Sequence, residues 1–341
     1  MLLSICIPTF NRLLELKTNL RFLIDEVASN YNNDIEIIIS DNCSADGTFE
    51  YLNELKSKYP FLVVSKNTDN IGMIPNWKKS ISLAQGKFVW LLGSDDIVIP
   101  GRFSTLIDKI HEYPDSSIFL LNNISWTPTD ADFLNFDESI FNTAEKHVKD
   151  SHDEYVHKIA DLLGKREDQF TPIYLSVMKK ADWSNAIDLY DLESPFFSSL
   201  KNSVPQAVYV AEQLFNKQGC YISTPMVLAS YNIGWKKYYS LYCFYYLILL
   251  HKLWLQNGAD SGIVNNSLKR YLDRRIWRAL LKDLFITNRE NLKYFSFFKY
   301  FSMTYKFPEA YKIFIYIIYL NGIYFTKKIG TSLNIKVYNA F

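Results

Sequence analysis

Net charge is nearly absent: 37 Lys and Arg against 36 Asp and Glu leave +1 over 341 residues. That balance excludes the strongly basic face on which nucleic-acid binding rests. Cysteine is also scarce, four residues at 6, 43, 220 and 243 with no Cys-x-x-Cys pair. A disulfide scaffold is excluded, and a reduced, cytosolic setting is expected. No Gly-x-Gly-x-x-Gly loop follows the first apolar run, where Pro8-Thr9-Phe10-Asn11-Arg12 stands instead; this argues against a dehydrogenase of the dinucleotide-binding type. The start lacks a basic segment and meets Pro8 before an apolar core can complete, so no signal peptide is expected. What is abundant is aromatic: 24 Tyr and 24 Phe, with Trp 16% of the chain, crowded into the second half.

Apolar runs at 2–8, 34–40, 61–65 and 88–92 read as strands, and 11–28, 48–58 and 75–84 carry apolar residues at helical spacing. Strands alternating with helices imply an α/β fold, a mainly parallel sheet covered by helices, with the binding crevice outside the strands' carboxyl ends. From 122 to 165 the periodicity breaks up, and a mobile insertion with one polar helix around 152–163 is expected. Strands at 173–179 and 220–230 and helices at 181–187 and 205–217 follow. From Lys236 onward the composition shifts to aromatic-rich helices at 239–255, 266–283 and 310–325.

Directly after the fourth strand stand Gly93-Ser94-Asp95-Asp96. Two adjacent acids leaving a buried strand are either a turn that caps the next segment or a cation site. Three more polar loops open on the same edge. After the first strand, Thr9 and Asn11 offer polar groups, and Arg12 a guanidinium fork suited to a phosphate at a helix start; helix capping by Thr9 or Asn11 is the plainer alternative. After the second come Asp41 and Asn42, with Asp41 able to accept from a base or ribose, whereas Asp46-Gly47-Thr48 reads as a turn and cap. After the third, Asn70, Gly72 and Asn76 offer amides and close backbone approach.

Taken together, Ile7-Pro8-Thr9-Phe10-Asn11-Arg12, Ile39-Ser40-Asp41-Asn42-Cys43-Ser44-Ala45-Asp46-Gly47-Thr48, Asn70-Ile71-Gly72 with Asn76, and Gly93-Ser94-Asp95-Asp96 resemble the donor half of the family 2 glycosyltransferases of the GT-A fold. The matching region covers roughly residues 3–105, and the whole chain is most similar to bacterial O-antigen transferases of the abequosyltransferase type. The resemblance implies a GT-A domain over 1–235, donor half 1–105 and acceptor half 106–235, followed by a helical region at 236–341. It also implies that Pro8, Thr9 and Asp41 hold the nucleobase, that Asp95 contacts ribose or metal, and that Asp96 ligates a divalent cation, Mg²⁺ or Mn²⁺, at the donor diphosphate. The implied partners are a nucleoside-diphosphate sugar and a saccharide acceptor, lipid-linked, at the inner face of the cytoplasmic membrane.

Two departures from the family pattern stand out. A further Asp often occupies the position of Gly93, and the acid expected at the start of a late helix is replaced by Ser203-Val204-Pro205-Gln206. Gln206 cannot act as a base, though it can orient an acceptor. Asp191, Glu193 and Glu212 are the candidate bases; each is also readable as a solvated surface acid. A nucleotide-sugar-binding protein that has lost catalysis is therefore the rival expectation. His147, His152 and His157 lack metal-ligand spacing and are expected to be exposed. The segment 311–325, followed by Lys327 and Lys328, is too short and too rich in Tyr for a membrane span. It suits either an interfacial helix or a core helix.

Overall fold

The computed structural model describes residues 1–143, 152–164, 166–231, 236–273 and 277–332. His147 lies outside them. The chain packs as two compact units, one of residues 1–191 and 204–233, the other of 192–203 and 234–341. The linear division expected at 235 therefore misses a segment: 192–203 packs with the second unit, where the Tyr246 hydroxyl donates to the Phe197 carbonyl at 2.6 Å. Nothing in the local pattern of that segment announces this pairing.

The first unit holds the strands β1 (Leu3–Thr9), β2 (Ile35–Asp41), β3 (Leu62–Lys66), β4 (Phe88–Leu91), β5 (Ile97–Val98), β6 (Ile118–Trp126), β7 (Glu154–Val156), β8 (Ser176–Lys179) and β9 (Gly219–Ser230). They form one sheet in the order β3-β2-β1-β4-β8-β6-β9-β5, with β7 also on β9. β1 to β4 run parallel, β8 is antiparallel to both β4 and β6, and β6 and β9 are parallel to each other. β2 is buried along its whole length and β1 along nearly all of it, which is why their sequences read as continuous apolar runs rather than alternating ones. Helices Leu13–Asn30, Thr48–Lys56 and Met73–Leu83 connect them, each turning an apolar stripe inward.

Three expectations for the middle of the chain are corrected. The insertion after 122 begins as strand, because β6 continues to Trp126 across a bulge at Asn122 and Asn123 against β9. Both asparagines are buried and bonded locally, Asn122 to the Ser223 carbonyl at 2.9 Å and Asn123 to the Ser125 hydroxyl at 2.9 Å, so the apolar alternation lapses although the strand does not. The polar helix expected at 152–163 is instead β7, paired with the start of β9, followed by a 3₁₀ turn at Ile159–Leu162. Strand pairing with a distant segment is invisible to helical periodicity. The strand expected at 173–179 is reduced to β8 by a 3₁₀ turn at Ile173–Leu175.

At the amino-terminal edge of the sheet, Glu36 is buried and accepts from the Ser4 hydroxyl and the Gln85 amide, both at 2.6 Å. Gly86 approaches so closely that a Cβ there would lie 2.6 Å from the Ser4 nitrogen and 2.8 Å from the Leu3 carbonyl carbon. At the opposite edge Asp46 joins two helix starts. One of its oxygens takes the Leu13 amide at 2.9 Å; the other takes the Thr48 amide at 3.1 Å and hydroxyl at 2.6 Å. The turn-and-cap role expected of it is what it performs. Its slight burial raises the carboxyl pKa, but the hydrogen bonds from Thr48 and Leu13 outweigh this and lower it.

In the second unit, helices Leu247–Gln256, Ser261–Asp273, Phe297–Thr304 and Pro308–Ser332 enclose a core of Phe244, Tyr246, Ile248, Leu281, Leu284, Tyr300 and Ile313. No helix among the described residues is long and apolar enough to cross a membrane.

Gly86→Ala should destabilise by about 3 kcal/mol in urea unfolding, because the colliding atoms are backbone and cannot swing aside. Asp46→Ala should cost about 1 kcal/mol at neutral pH, the usual cost of a lost cap. The sign of its pH dependence follows from the lowered carboxyl: the stability Asp46 contributes is full above the unfolded carboxylate pKa and is lost as pH falls through the folded one. Wild type and variant should therefore converge in thermal melts run toward acid pH.

Candidate functional site

The carboxyl ends of β1 and β2 are level, with Thr9 opposite Asp41 in the ladder. Their loops are tied together: Asn42 donates its amide to the Thr9 carbonyl at 2.9 Å, and Asn11, held at a left-handed φ of 50°, donates to the Ser44 hydroxyl at 2.8 Å and accepts from the Ala45 amide at 2.9 Å. Asp41 is fully buried. One of its oxygens accepts from the Ser44 amide at 3.1 Å, while the other, like the Thr9 hydroxyl, is buried with no partner in the protein. Two such atoms side by side cost desolvation without return, and they supply one acceptor and one donor–acceptor for a ligand edge. Pro8 precedes them, half-buried.

The asparagines serve a different end. Asn42 donates to the Asn70 carbonyl oxygen at 2.7 Å and to the Gly72 backbone at 3.2 Å, while its own oxygen accepts from Asn67 at 3.0 Å and from the Ile71 amide at 3.0 Å. Asn76 donates to the Ser40 carbonyl at 2.9 Å and accepts from the Ser40 hydroxyl at 2.7 Å and from Asn67 at 3.0 Å. Asn42 and Asn76 are buried, whereas Asn70 and Gly72 lie at the surface. The structure thus brings Asn42, Asn70, Gly72 and Asn76 together as a network that locks the β2 and β3 loops, with the amides of Asn42 and Asn76 occupied by protein.

Asp95 and Asp96 lie beyond β4, whose extension is registered on β1 through the Leu92 amide and the Cys6 carbonyl at 2.9 Å. Each carboxylate has one oxygen held and one directed inward. Asp95 Oδ2 pairs with the Arg12 guanidinium, and Asp96 Oδ1 accepts from the Ser230 amide at 3.2 Å. The remaining oxygens converge over Gly93: a Cβ on that residue would lie 2.5 Å from Asp96 Oδ2 and 3.0 Å from Asp95 Oδ1. The missing third acid of the commoner pattern thus has a steric reason, since any side chain at 93 would fill the space where the two carboxylates meet. Burial, and then the charge of Asp95, push the Asp96 carboxyl well above the ordinary carboxylate range, against the pull of the Ser230 amide and Arg12.

Behind this turn stands Asn19, a residue the sequence alone does not single out. It is fully buried on the helix Leu13–Asn30 and donates to the Gly93 carbonyl at 3.4 Å. Ser230 is equally unannounced, since it acts through its backbone amide.

The pair fits a divalent cation. Mg²⁺ and Mn²⁺ are hard ions commonly held by one or two carboxylates, with waters and substrate phosphates completing the shell. Two convergent oxygens, one of them on a carboxyl whose ionisation is disfavoured until a positive charge arrives, match that donor set. Among the described residues no group of three or more His, Cys, Asp or Glu side chains gathers, at this turn or elsewhere, so the protein itself offers the pair alone. His152 and His157 are exposed, as expected.

The acceptor-side candidates do not gather in the same way. Gln206 is buried on the short helix Pro205–Tyr209, and its amide donates to the Thr171 carbonyl at 2.5 Å. Glu212 is half-buried in the π-helical segment Val210–Leu214. Asp191 is exposed at the end of the first unit, and Glu193 is exposed in the second.

The glycosyl transferase family 2 model matches residues 4–158. Over 248 residues the chain is 29% identical to abequosyltransferase RfbV of Salmonella typhimurium, a match covering 67% of this chain and 66% of that protein. It is 34% identical over 112 residues to the GalNAc(5)-diNAcBac-PP-undecaprenol beta-1,3-glucosyltransferase of Campylobacter jejuni, covering 32% of this chain and 35% of that one. The chain therefore spans about two thirds and about one third of these relatives. Among solved structures, S. aureus TarS superimposes with a TM-score of 0.54 at 16% identity over 86% of this chain and 82% of its own. Its complex with UDP gives 0.56 at 15% identity over 96% and 92%. Likeness at that identity shows the fold, which is GT-A as expected. The fold and the match over 4–158 agree: the chain carries a glycosyl transferase family 2 domain at residues 4–158, and its named relatives are sugar transferases.

Proposed function

We propose that the protein transfers a sugar from a nucleoside-diphosphate sugar to a hydroxyl of a lipid-linked saccharide, with inversion, in the assembly of a bacterial surface polysaccharide such as O-antigen. The observation that carries this reading is the meeting of two carboxylates over Gly93, on the same sheet edge as the unpartnered polar atoms of Asp41 and Thr9. Asp41 and Thr9 take the nucleobase edge, with Pro8 alongside, and the Asn42–Asn70–Asn76 network keeps their loops in place. Asp95 and Asp96 hold a divalent cation, which when bound offsets the charge of the departing diphosphate. Arg12, at the start of a helix, faces the phosphates. In the transfer, the acceptor oxygen bonds to the anomeric carbon from the face opposite the diphosphate, the bond to the diphosphate oxygen breaks, and the acceptor proton passes to a carboxylate. Asp191, Glu193 and Glu212 are the carboxylates considered for that task, and Gln206 positions rather than ionises. The lipid-linked acceptor is supported by the name of the Campylobacter relative and transfer of a sugar by that of the Salmonella one, while the O-antigen setting rests on the resemblance seen in the sequence.

A peripheral membrane contact belongs to the same reading. The helix Pro308–Ser332 buries Ala310, Ile313, Ile317 and Leu320, while Tyr311, Ile315, Ile318 and Tyr319 on its other face are 50–66% exposed. On the preceding helix the Phe301 ring lies 5.9 Å from Tyr311, and Phe298 is 86% exposed. Apolar surface edged with Tyr and with exposed Lys299 and Lys312 suits an anionic bilayer interface. The side chains of Lys327 and Lys328 lie outside the described part.

Two measurements test these assignments. With Mn²⁺ and sugar nucleotides, purified Asp96→Asn should lose donor turnover by on the order of 10²–10³-fold while its melting curve keeps its cooperativity, the scale of removing one preorganised contact to developing charge. Wild-type protein that binds a sugar nucleotide yet neither hydrolyses nor transfers it would favour the rival, a binding protein without catalysis. In flotation with vesicles containing anionic lipid, the double variant Ile315→Asp/Ile318→Asp should bind at least about tenfold more weakly, since two apolar side chains lose their burial; equal flotation would leave the exposed face without this role.

A further inference from the structure

The helix Leu13–Asn30 buries Leu16, Leu20, Leu23, Ile24 and Val27, and beside them two polar residues, Thr18 and Asn19. Thr18 is satisfied, its hydroxyl donating to the Phe133 carbonyl at 3.0 Å. Asn19 is satisfied on one side only. Its Nδ2 donates to the Gly93 carbonyl at 3.4 Å, and because a carbonyl can only accept, the amide has a single orientation: Oδ1 is the atom left over, buried with no partner in the protein. A buried amide oxygen without a donor costs stability, and Asn is a poorer helix former than Ala. An alanine at this position would avoid both costs.

What the Asn19 amide reaches is the turn that carries the two acids. The Gly93 carbonyl already accepts from the Asp96 amide at 3.2 Å, which closes Gly93-Ser94-Asp95-Asp96 on itself, and Asn19 adds a second donor from outside the turn. The same helix holds the turn at another point, where Arg12 at its start pairs with the Asp95 carboxylate. Arg12 and Asn19 stand about two helical turns apart, so the acid turn is attached at two points along one rigid element rather than hinged on one. Such a double attachment fixes the direction in which the inner oxygens of Asp95 and Asp96 meet over Gly93. We infer that Asn19 is a positioning residue: it orients the backbone of the acid turn and is kept there at a cost in stability. The consequence for a bound cation rests on the reading of Asp95 and Asp96 as its ligands, whereas the orientation of the backbone does not.

Three measurements on the full chain compare Asn19→Ala with wild type, and Asp96→Asn serves as the control for the cation. In thermal melts Asn19→Ala should unfold about 2 °C or more above wild type, the scale of removing one orphaned polar atom from a domain of this size. In amide hydrogen exchange, the peptide 91–97 of the same variant should exchange about fivefold faster or more, opposite in direction to the melt, because a turn can open locally while the whole chain gains stability. In electron paramagnetic resonance titrations with UDP present, Asn19→Ala should bind Mn²⁺ about tenfold more weakly, the lower end of what losing a partner behind a metal ligand costs. A lower melting temperature, which would make Asn19 ordinary satisfied packing, or unchanged exchange over 91–97 overturns the inference. Unchanged Mn²⁺ binding by Asn19→Ala, where Asp96→Asn loses it, overturns the role toward the cation. Asp96→Asn binding Mn²⁺ as well as wild type, or wild type binding none, overturns the cation reading instead, and the melt and the exchange then decide the backbone role by themselves.

Discussion

Everything at the site depends on β1 lying in register between β2 and β4 with both faces of the sheet covered. Parallel strands need helical crossovers, the crossovers bury the strands, and burial leaves only the strand ends free to carry polar groups. Thr9 therefore falls level with Asp41, and Gly93 follows the point where β4 last bonds to β1. The opposite edge secures the same register by other means. Buried Glu36 collects the Ser4 hydroxyl and the Gln85 amide, and Gly86 lets the backbones of β1 and the β4 entry approach more closely than any side chain would allow. One edge is closed by fit, which leaves the other open for chemistry.

At the open edge the governing difficulty is like charge. Two adjacent carboxylates near a low-dielectric interior repel and lose hydration together. The chain meets this by giving each acid a different partner, a guanidinium for Asp95 and a backbone amide for Asp96, and by leaving position 93 without a side chain so that their other oxygens can meet. Asn19 supports the turn from beneath by taking the Gly93 carbonyl. The result is a pair that is positioned but not neutralised. That residual imbalance is what a cation and a diphosphate can satisfy.

The donor half was legible because its signals are redundant. A strand buried on both faces reads as an apolar run, a covering helix as a stripe, and a polar loop between them is conspicuous by contrast, so Asp41, Asp95 and Asp96 stood out before any coordinates. What such reading cannot resolve is whom a polar side chain bonds. Asn42 and Asn76 looked like ligand contacts, yet their amides are engaged by Ser40, Asn67, Asn70 and Gly72, because an amide near a crevice and an amide locking a loop have the same composition. Asn19 escaped for the converse reason: one polar residue on a buried helical stripe resembles noise. β6 goes unannounced in the sequence, and its bulge at Asn122 and Asn123 interrupts the apolar alternation, while the three residues of β7 are too few to show a period.

The aromatic excess fills the core of the second unit with Phe244, Tyr245, Tyr246, Phe285 and Tyr300, and its last described helix has two unlike faces. Where Pro308–Ser332 faces its own unit, Ile313, Ile317 and Leu320 are buried; the residues between them, Tyr311, Ile315, Ile318 and Tyr319, are left outside. A helix that served only as core would carry charge on that outer face, since isolated apolar exposure is cheap but a continuous stripe invites association. A helix that spanned a bilayer would need length and an apolar surface on every side, which no described helix has. Of the two readings of this segment, the core reading describes the inner face, and the proposed membrane contact concerns the outer one alone.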